Sequence, residues 1–327
     1  MVKVGVNSHG FLFRAARQLN RTFGSGDTMK RITREHTVPC SQRYKVRQPV
    51  AEVELGEEFV VETINFRTPI IRSPEDANPP EYREREETGP ILVKGIEPGD
   101  VLAIHIEDIT PEGHASGGWW RDPKENSFLR IQNGEVRFPG GLTTAVHMMI
   151  GDIYVTPGEP GNNPDDSGGN MDFKDIASGN MLLLKAQLPG GLLVLGDCHA
   201  AQGDGEILGL AAECAAQVTL KITKDETFLP ERPTIVKPGS FVSIACRRDY
   251  AEARDLAVDD AKQILARVAG CSEEEAYLFV TTVADLRNGA VWCMGKSEPA
   301  WVTTMPVVVG VEVPLEMKPN QGMQPTS

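Results

Sequence analysis

Residues 91–106, ILVKGIEPGDVLAIHI, set the reading of the chain. Two aliphatic runs, 91–94 and 101–106, flank the turn signal Glu97-Pro98-Gly99-Asp100, and the second alternates in part as a half-buried strand does. Upstream, 50–54 and 58–63 repeat the pattern around the turn signal Leu55-Gly56; downstream, 181–187, 192–195 and 218–222 continue it. The 32 glycines and 23 prolines punctuate these runs at about the eight-to-twelve-residue spacing of a β-sandwich or barrel rather than of βαβ units. Past residue 245 the period changes. Ala257, Ala261, Ile264, Leu265 and Val268 fall on one face of a helix expected over 251–269, and Ser272 with Glu275 forms a capping-box signature for a second helix running to about Val283. Residues 307–313 return to strand. The expected architecture is mainly β, a sandwich- or barrel-like body over 29–222, with a smaller C-terminal α+β module over 223–316. Residues 1–28 read as a disordered or mis-started extension, with Met29 as the functional beginning, and 317–327 as a disordered tail.

Charge is unevenly placed along the 327 residues. Lys and Arg number 33 against 46 Asp and Glu, for a formal charge of −13. Residues 1–50 carry 10 basic residues and only Asp27 and Glu35, which leaves 23 against 44, or −21, for the remainder. An acidic body argues against nucleic acid, whose affinity rests on neutralising phosphates with Lys and Arg. No window approaches the ~18 apolar residues of a membrane span; the most apolar, 181–195, is broken by Lys185, Gln187 and Pro189-Gly190-Gly191. Six scattered cysteines without a CxxC pair, behind no secretion signal, read as free thiols in the reducing cytoplasm.

Elimination narrows the chemistry. No GxGxxG follows a strand, and GxxxxGK[ST], HExxH and GxSxG are absent, so dinucleotide, P-loop, zincin and α/β-hydrolase readings lack their anchors. Polar information concentrates in two segments, 157–172 (PGEPGNNPDDSGGNMD) and 196–206 (GDCHAAQGDGE). In the second, Asp197, His199, Asp204 and Glu206 lie within ten residues after an apolar strand, with Asp197 and His199 on one side of an extended chain. Carboxylates and an imidazole at this density are a first shell for a divalent cation, or, since Asp beside Gly is the common turn former, a pair of tight turns. His105, beside Glu107 on an alternating strand, reads as structural. The loop expected over 113–120, with its two tryptophans, lines a pocket or simply packs. Cys198 is an unpromising nucleophile, because nearby carboxylates raise a thiol's pKa.

Taken together, GGNMD at 168–172 and LGDCHAAQGDGE at 195–206 resemble the acetamidase/formamidase family. TGPILVKGIEPGDVLAIHIEDI at 88–109, MIGDIYVTP at 149–157 and ADLRNGAVW at 284–292 add to the resemblance, which spans roughly residues 30–316. It implies a β-rich, often dimeric, metal-dependent hydrolase of short amides, some members acting on lactams. It also implies a site of Asp172, Asp197, His199, Asp204 and Glu206. Within that site the expected roles are Asp172, Asp197 and His199 on the metal, zinc or calcium, with Glu206 or Asp204 moving the proton and Gly169, Asn170 and Gln202 against substrate. Asp152 and Tyr154 depart from the small or apolar residues expected in MIGDIYVTP, and the 113–122 segment also differs from the family's usual version.

The expected reaction is hydrolysis of a small carboxamide to carboxylate and ammonia by metal-activated water. Alternatives are a lactam or ureide substrate on the same fold, a non-catalytic metal- or ligand-binding β protein, and a Cys198 nucleophile.

Overall fold

The computed structural model describes residues 29–77, 84–118, 127–161, 163–292 and 305–315. The expected 1–28 extension, the 317–327 tail and the tryptophans at 119 and 120 lie outside them. Among the described residues, 18 strands join in one hydrogen-bonded network, with two α-helices near the C-terminus. No described helix is long and apolar enough to cross a membrane.

The run read as 101–106 is the start of a much longer strand, Val101–Gly117, which pairs antiparallel with Glu213–Asp225 along most of its length. It takes in residues 113–117, which the sequence reading placed in a loop. Side chains alternate across a strand, and here both faces are covered. Leu102, Ile104 and Ile106 enter the main core, while Val101 and Ala103 enter a second core beneath the helices. Met181–Lys185 and Ser240–Arg247 split the same way: Leu182, Leu184, Val242 and Ile244 on the main side, Leu183, Phe241 and Ala245 on the helix side. Two buried faces explain why these strands read as continuous apolar runs rather than clean alternation. His105 falls next on the helix-side register, half-buried, its Nε2 2.9 Å from Thr223 Oγ1, a structural contact.

The helices are Tyr250–Ala269 and Glu273–Val283. Asp249 caps the first by accepting from the Glu252 N–H, and Gly270, in the left-handed conformation at φ +62°, ends it. The Ser272–Glu275 capping box is formed in both directions. Ala257, Ala261, Ile264 and Leu265 bury the predicted face against the sheet.

Three strands converge on one end of the main core. Leu193–His199 pairs antiparallel with Met149–Val155, which pairs in turn with Gly168–Asn170. The first strand therefore runs through His199, four residues beyond the predicted end at Leu195. Its last two residues pair with the start of Glu213–Asp225, setting Cys198 opposite Cys214 and His199 opposite Glu213.

Candidate metal centre and active site

Strained backbone marks the place where these strands meet. Of six described non-glycine residues with positive φ, three are carboxylates at this end of the core: Asp172 (+45°), Asp197 (+52°) and Glu206 (+41°). A non-glycine side chain held there costs stability, and such positions concentrate at functional sites. Asp197 interrupts the ladder between Leu193–His199 and Met149–Val155 opposite Gly151. At Gly151 a side chain has no room, since an added Cβ would lie 2.6 Å from Asp172 Oδ1 and 2.7 Å from Asp197 O.

The side chains converge as two overlapping donor sets, Asp172–Asp197–His199 and His199–Glu206–Glu213, each with ligand atoms within 4.8 Å of one another. All five groups are buried. Hydrogen bonding fixes the tautomer of His199. Gln202 Nε2 donates to the Asp172 carbonyl at 2.5 Å, which turns its Oε1 toward His199 Nδ1 at 2.7 Å. A carbonyl only accepts, so the amide cannot flip, and Nδ1 must carry the proton. In the neutral ring His199 Nε2 then presents a lone pair. It lies 3.0 Å from Glu213 Oε2 and 3.7 Å from Asp197 Oδ1, yet makes no aligned hydrogen bond. Asp172 is similar: Oδ2 accepts from Asn170 Nδ2 at 2.8 Å, while Oδ1 is buried without a partner. Lone pairs crowded together in a buried space repel unless a proton or cation lies between them. The set fits a divalent cation.

The charges bear out the crowding. Burial and the neighbouring Glu206 push Asp172 well above the ordinary carboxylate range. Burial likewise raises Glu206, to about 8, with the Glu213 and Asp197 carboxylates adding to the rise. Burial acts in the same direction on Asp197, but Arg85 and His199 outweigh it and hold that group well below its usual value. Burial would lower His199; the facing carboxylates, Glu213 first, raise it instead. The raised values of Asp172, Glu206 and His199 report carboxylates crowded together, and the lowered value of Asp197 reports the Arg85 cation beside it.

Behind the donors lies a buried ionic tier. Arg85 reaches Asp197 Oδ2 (2.7 Å), Asn170 Oδ1 (2.5 Å), Asp152 Oδ2 (2.5 Å) and Glu87 Oε1 (3.2 Å). Arg43 holds the other oxygen of Asp152 at 2.8 Å and stacks 4.3 Å from the Tyr154 ring centroid. Asp152 and Tyr154, which departed from expectation in the sequence, are thus the partners of two buried arginines.

A family model for the acetamidase/formamidase family matches residues 143–305. The chain is similar to a formamidase from Methylophilus methylotrophus, at 38% identity over 248 residues, covering 53% of this chain and 60% of that protein. It is also similar to the crystal structure of an acetamidase from Bacillus halodurans, with 28% identity and a TM-score of 0.74 over 87% of this chain and 97% of that one. An acetamidase from Yersinia enterocolitica, at 25% identity and a TM-score of 0.72, covers 89% and 93% respectively. The chain belongs to the acetamidase/formamidase family. It spans about three fifths of the length of the curated relatives it matches.

Within this family member, sequence neighbours separate in space. Asp172, Asp197, His199 and Glu206 come together. Asp204 does not: it is about a third exposed and ion-paired to Lys174 (3.0 Å) and Arg287 (3.0 Å). Burial works against it, but those two cations hold its pKa below normal. Gln202 sits against His199 and the Asp172 backbone, and Asn170 bridges Arg85 to Asp172. At Gly169 an added Cβ would collide with the Arg43 guanidinium, so this glycine makes room for the ionic tier. Sequence reading missed Glu213, Arg85 and Trp292, whose Nε1 donates to Glu206 Oε2 at 2.8 Å. Glu213 begins the strand expected at 218–222, and extending that strand backward to meet the GDCH run would have found it. The five described cysteines are free, and burial pushes the Cys198 thiol up to about 12, so it stays protonated.

A cleft of ≈ 420 Å³ opens beside this centre, with Glu206 and Gln202 among its lining residues.

Proposed function

We propose that the protein is a metal-dependent amidohydrolase that cleaves the C–N bond of carboxamides to a carboxylate and ammonia. The observation that carries the reading is the pair of buried atoms without a hydrogen-bond partner, His199 Nε2 and Asp172 Oδ1, beside a buried glutamate that lines the cleft. Similarity to proteins named formamidase and acetamidase supports the amide as substrate.

Asp172, Asp197 and His199 would hold the metal, with Glu213 beside them. An imidazole donor favours a borderline ion such as zinc over calcium, which takes oxygen ligands. When bound, such an ion supplies Lewis-acid polarisation and lowers the pKa of water. The chain supplies the proton path. Trp292 occupies Glu206 Oε2, which leaves Oε1 to take the proton of the attacking water and deliver it to the leaving nitrogen. Gln202 fixes His199 with its Nε2 toward the donors, and Arg85 fixes Asp197. No covalent intermediate with the protein is required. A homodimer is the expected assembly.

Ammonia release from formamide, acetamide, γ-lactams and ureas, with and without a chelator, tests the reading; inertness toward every amide by the metal-replete protein contradicts it. Two ligand tests accompany it. Asp197→Asn combined with His199→Ala is expected to purify without metal by elemental analysis, and retained stoichiometric metal would sink the ligand assignment. Gly151→Ala is expected to push the Asp172 carboxylate aside and weaken metal binding by about 10–100-fold, the scale of a disturbed supporting contact. Calorimetric titration of the chelated protein reads this, and wild-type affinity would remove Asp172 from the ligand set.

A further inference from the structure

The cleft is larger and more apolar than a one- or two-carbon amide needs. Its ≈ 420 Å³ falls within the ~300–1,000 Å³ of pockets that hold drug-sized ligands. Glu206, Gln202, Asp204 and Ser127 are its polar lining, and Leu129, Phe138, Ile207, Leu208 and Leu210 are its large apolar lining. Three of these side chains stand open to water: Phe138 at 37%, Ile207 at 56% and Leu208 at 59%. Single exposed apolar residues are ordinary on a protein surface, but several gathered around one concavity mark an interaction site. The chain positions them deliberately. Ile207 and Leu208 follow Glu206, whose positive φ turns the backbone there, and the Glu206 carbonyl accepts from the Gly209 N–H at 2.7 Å. The turn that buries the glutamate carboxylate therefore sets two aliphatic side chains at the cleft.

We propose that this cleft receives an apolar acyl chain, so that the preferred substrates are primary amides of straight-chain aliphatic acids longer than acetic acid. The inference rests on the amidohydrolase reading and adds the class of acyl group. The carboxamide lies at the Glu206 end, and the alkyl chain runs along the Leu129–Phe138 and Ile207–Leu208 walls. Water attacks the acyl carbon, the C–N bond breaks, and the products are the fatty carboxylate and ammonia. Each methylene buried in the cleft contributes transfer free energy, so kcat/KM rises about threefold to fourfold per added carbon until the chain passes the end of the wall.

The test is kcat/KM for ammonia release from acetamide, propionamide, butyramide and hexanamide by the metal-replete protein. The expected result is a rising series whose hexanamide-to-acetamide ratio falls in Leu208→Ser and is kept in Leu278→Ser, a control on the exposed face of the second helix, away from the cleft. A flat or falling series with measurable acetamide turnover overturns the acyl-chain inference and leaves the amidohydrolase reading standing. If no amide is turned over, calorimetric binding of the same four amides still reads the cleft. Affinity rising with length then supports an apolar-chain site on a protein of different chemistry, and affinity independent of length overturns it.

Discussion

Glu206→Gln is expected to lower kcat for amide hydrolysis by about 10²–10⁴-fold, the usual contribution of a positioned general base, while metal content stays at the wild-type level. The substitution keeps the size of the side chain and its acceptor oxygen for Trp292 Nε1. What it removes is the capacity to take and return a proton. Glu206 is buried among carboxylates and raised to about 8; a neighbouring dication draws such a group back toward the ionised form that a base requires. In the proposed mechanism the acid and base duties fall on a group whose proton affinity its neighbours set. Steady-state kinetics together with elemental analysis of the same preparation make the comparison. Full activity in the variant would remove Glu206 from the mechanism, and loss of metal would make it a ligand instead.

Arg85→Met is expected to destabilise the fold by about 3–5 kcal/mol, the cost of leaving a buried charge without its partner. Four acceptors depend on this guanidinium: Asp152, Asp197, Glu87 and the Asn170 amide oxygen. The Asp152 and Glu87 side chains are fully buried, and Arg43 reaches only the other oxygen of Asp152. Burial disfavours the charge on Arg85, but Asp197 and Asp152 outweigh that and hold its pKa well above the ordinary value. The same residue braces two candidate ligands, Asp197 directly and Asp172 through Asn170, so metal affinity should fall with stability. Denaturant unfolding measures the first quantity and calorimetry the second. A variant within 1 kcal/mol of wild type would show that the buried tier is not what holds these strands together. The double variant Arg85→Met, Asp152→Leu is expected to recover part of the loss, since the two side chains share one network.

Much of the scaffold was legible because it rests on local pattern. Residues 91–106 announced two strands about a turn, and Ser272–Glu275 announced the second helix. Both elements exist, and the capping box is formed. Strand lengths were less legible. Val101–Gly117 continues past Ile109 through Thr110, Pro111 and Glu112, residues that a hydrophobic pattern reads as an ending, because pairing with Glu213–Asp225 sustains the ladder there.

The candidate site divides along the same line. GGNMD and GDCHAAQGDGE carry Asp172, Asp197, His199 and Glu206, which fall in two donor sets that share His199. Density of charge in those eleven residues was nonetheless an imperfect guide. Asp204 contributes to the density but faces Lys174 and Arg287, while Glu206, two residues on, turns inward through a left-handed backbone. Glu213, Arg85 and Arg43 were not legible. They reach the centre through strand register and buried ion pairs across more than a hundred residues in the case of Arg85 and Asp197, and no local pattern carries that information. Arg43 lay in the basic N-terminal stretch, which read as a feature of charge; its side chain is among the largest fully buried ones in the chain.

The central claim is that a divalent cation held by Asp172, Asp197 and His199 makes this chain an amide hydrolase. Ammonia release by one preparation, measured as purified, after chelation and after restoring a divalent ion, tests it most directly. The expected result is activity that disappears with the metal and returns with it. Undiminished amide hydrolysis by metal-free protein would contradict it.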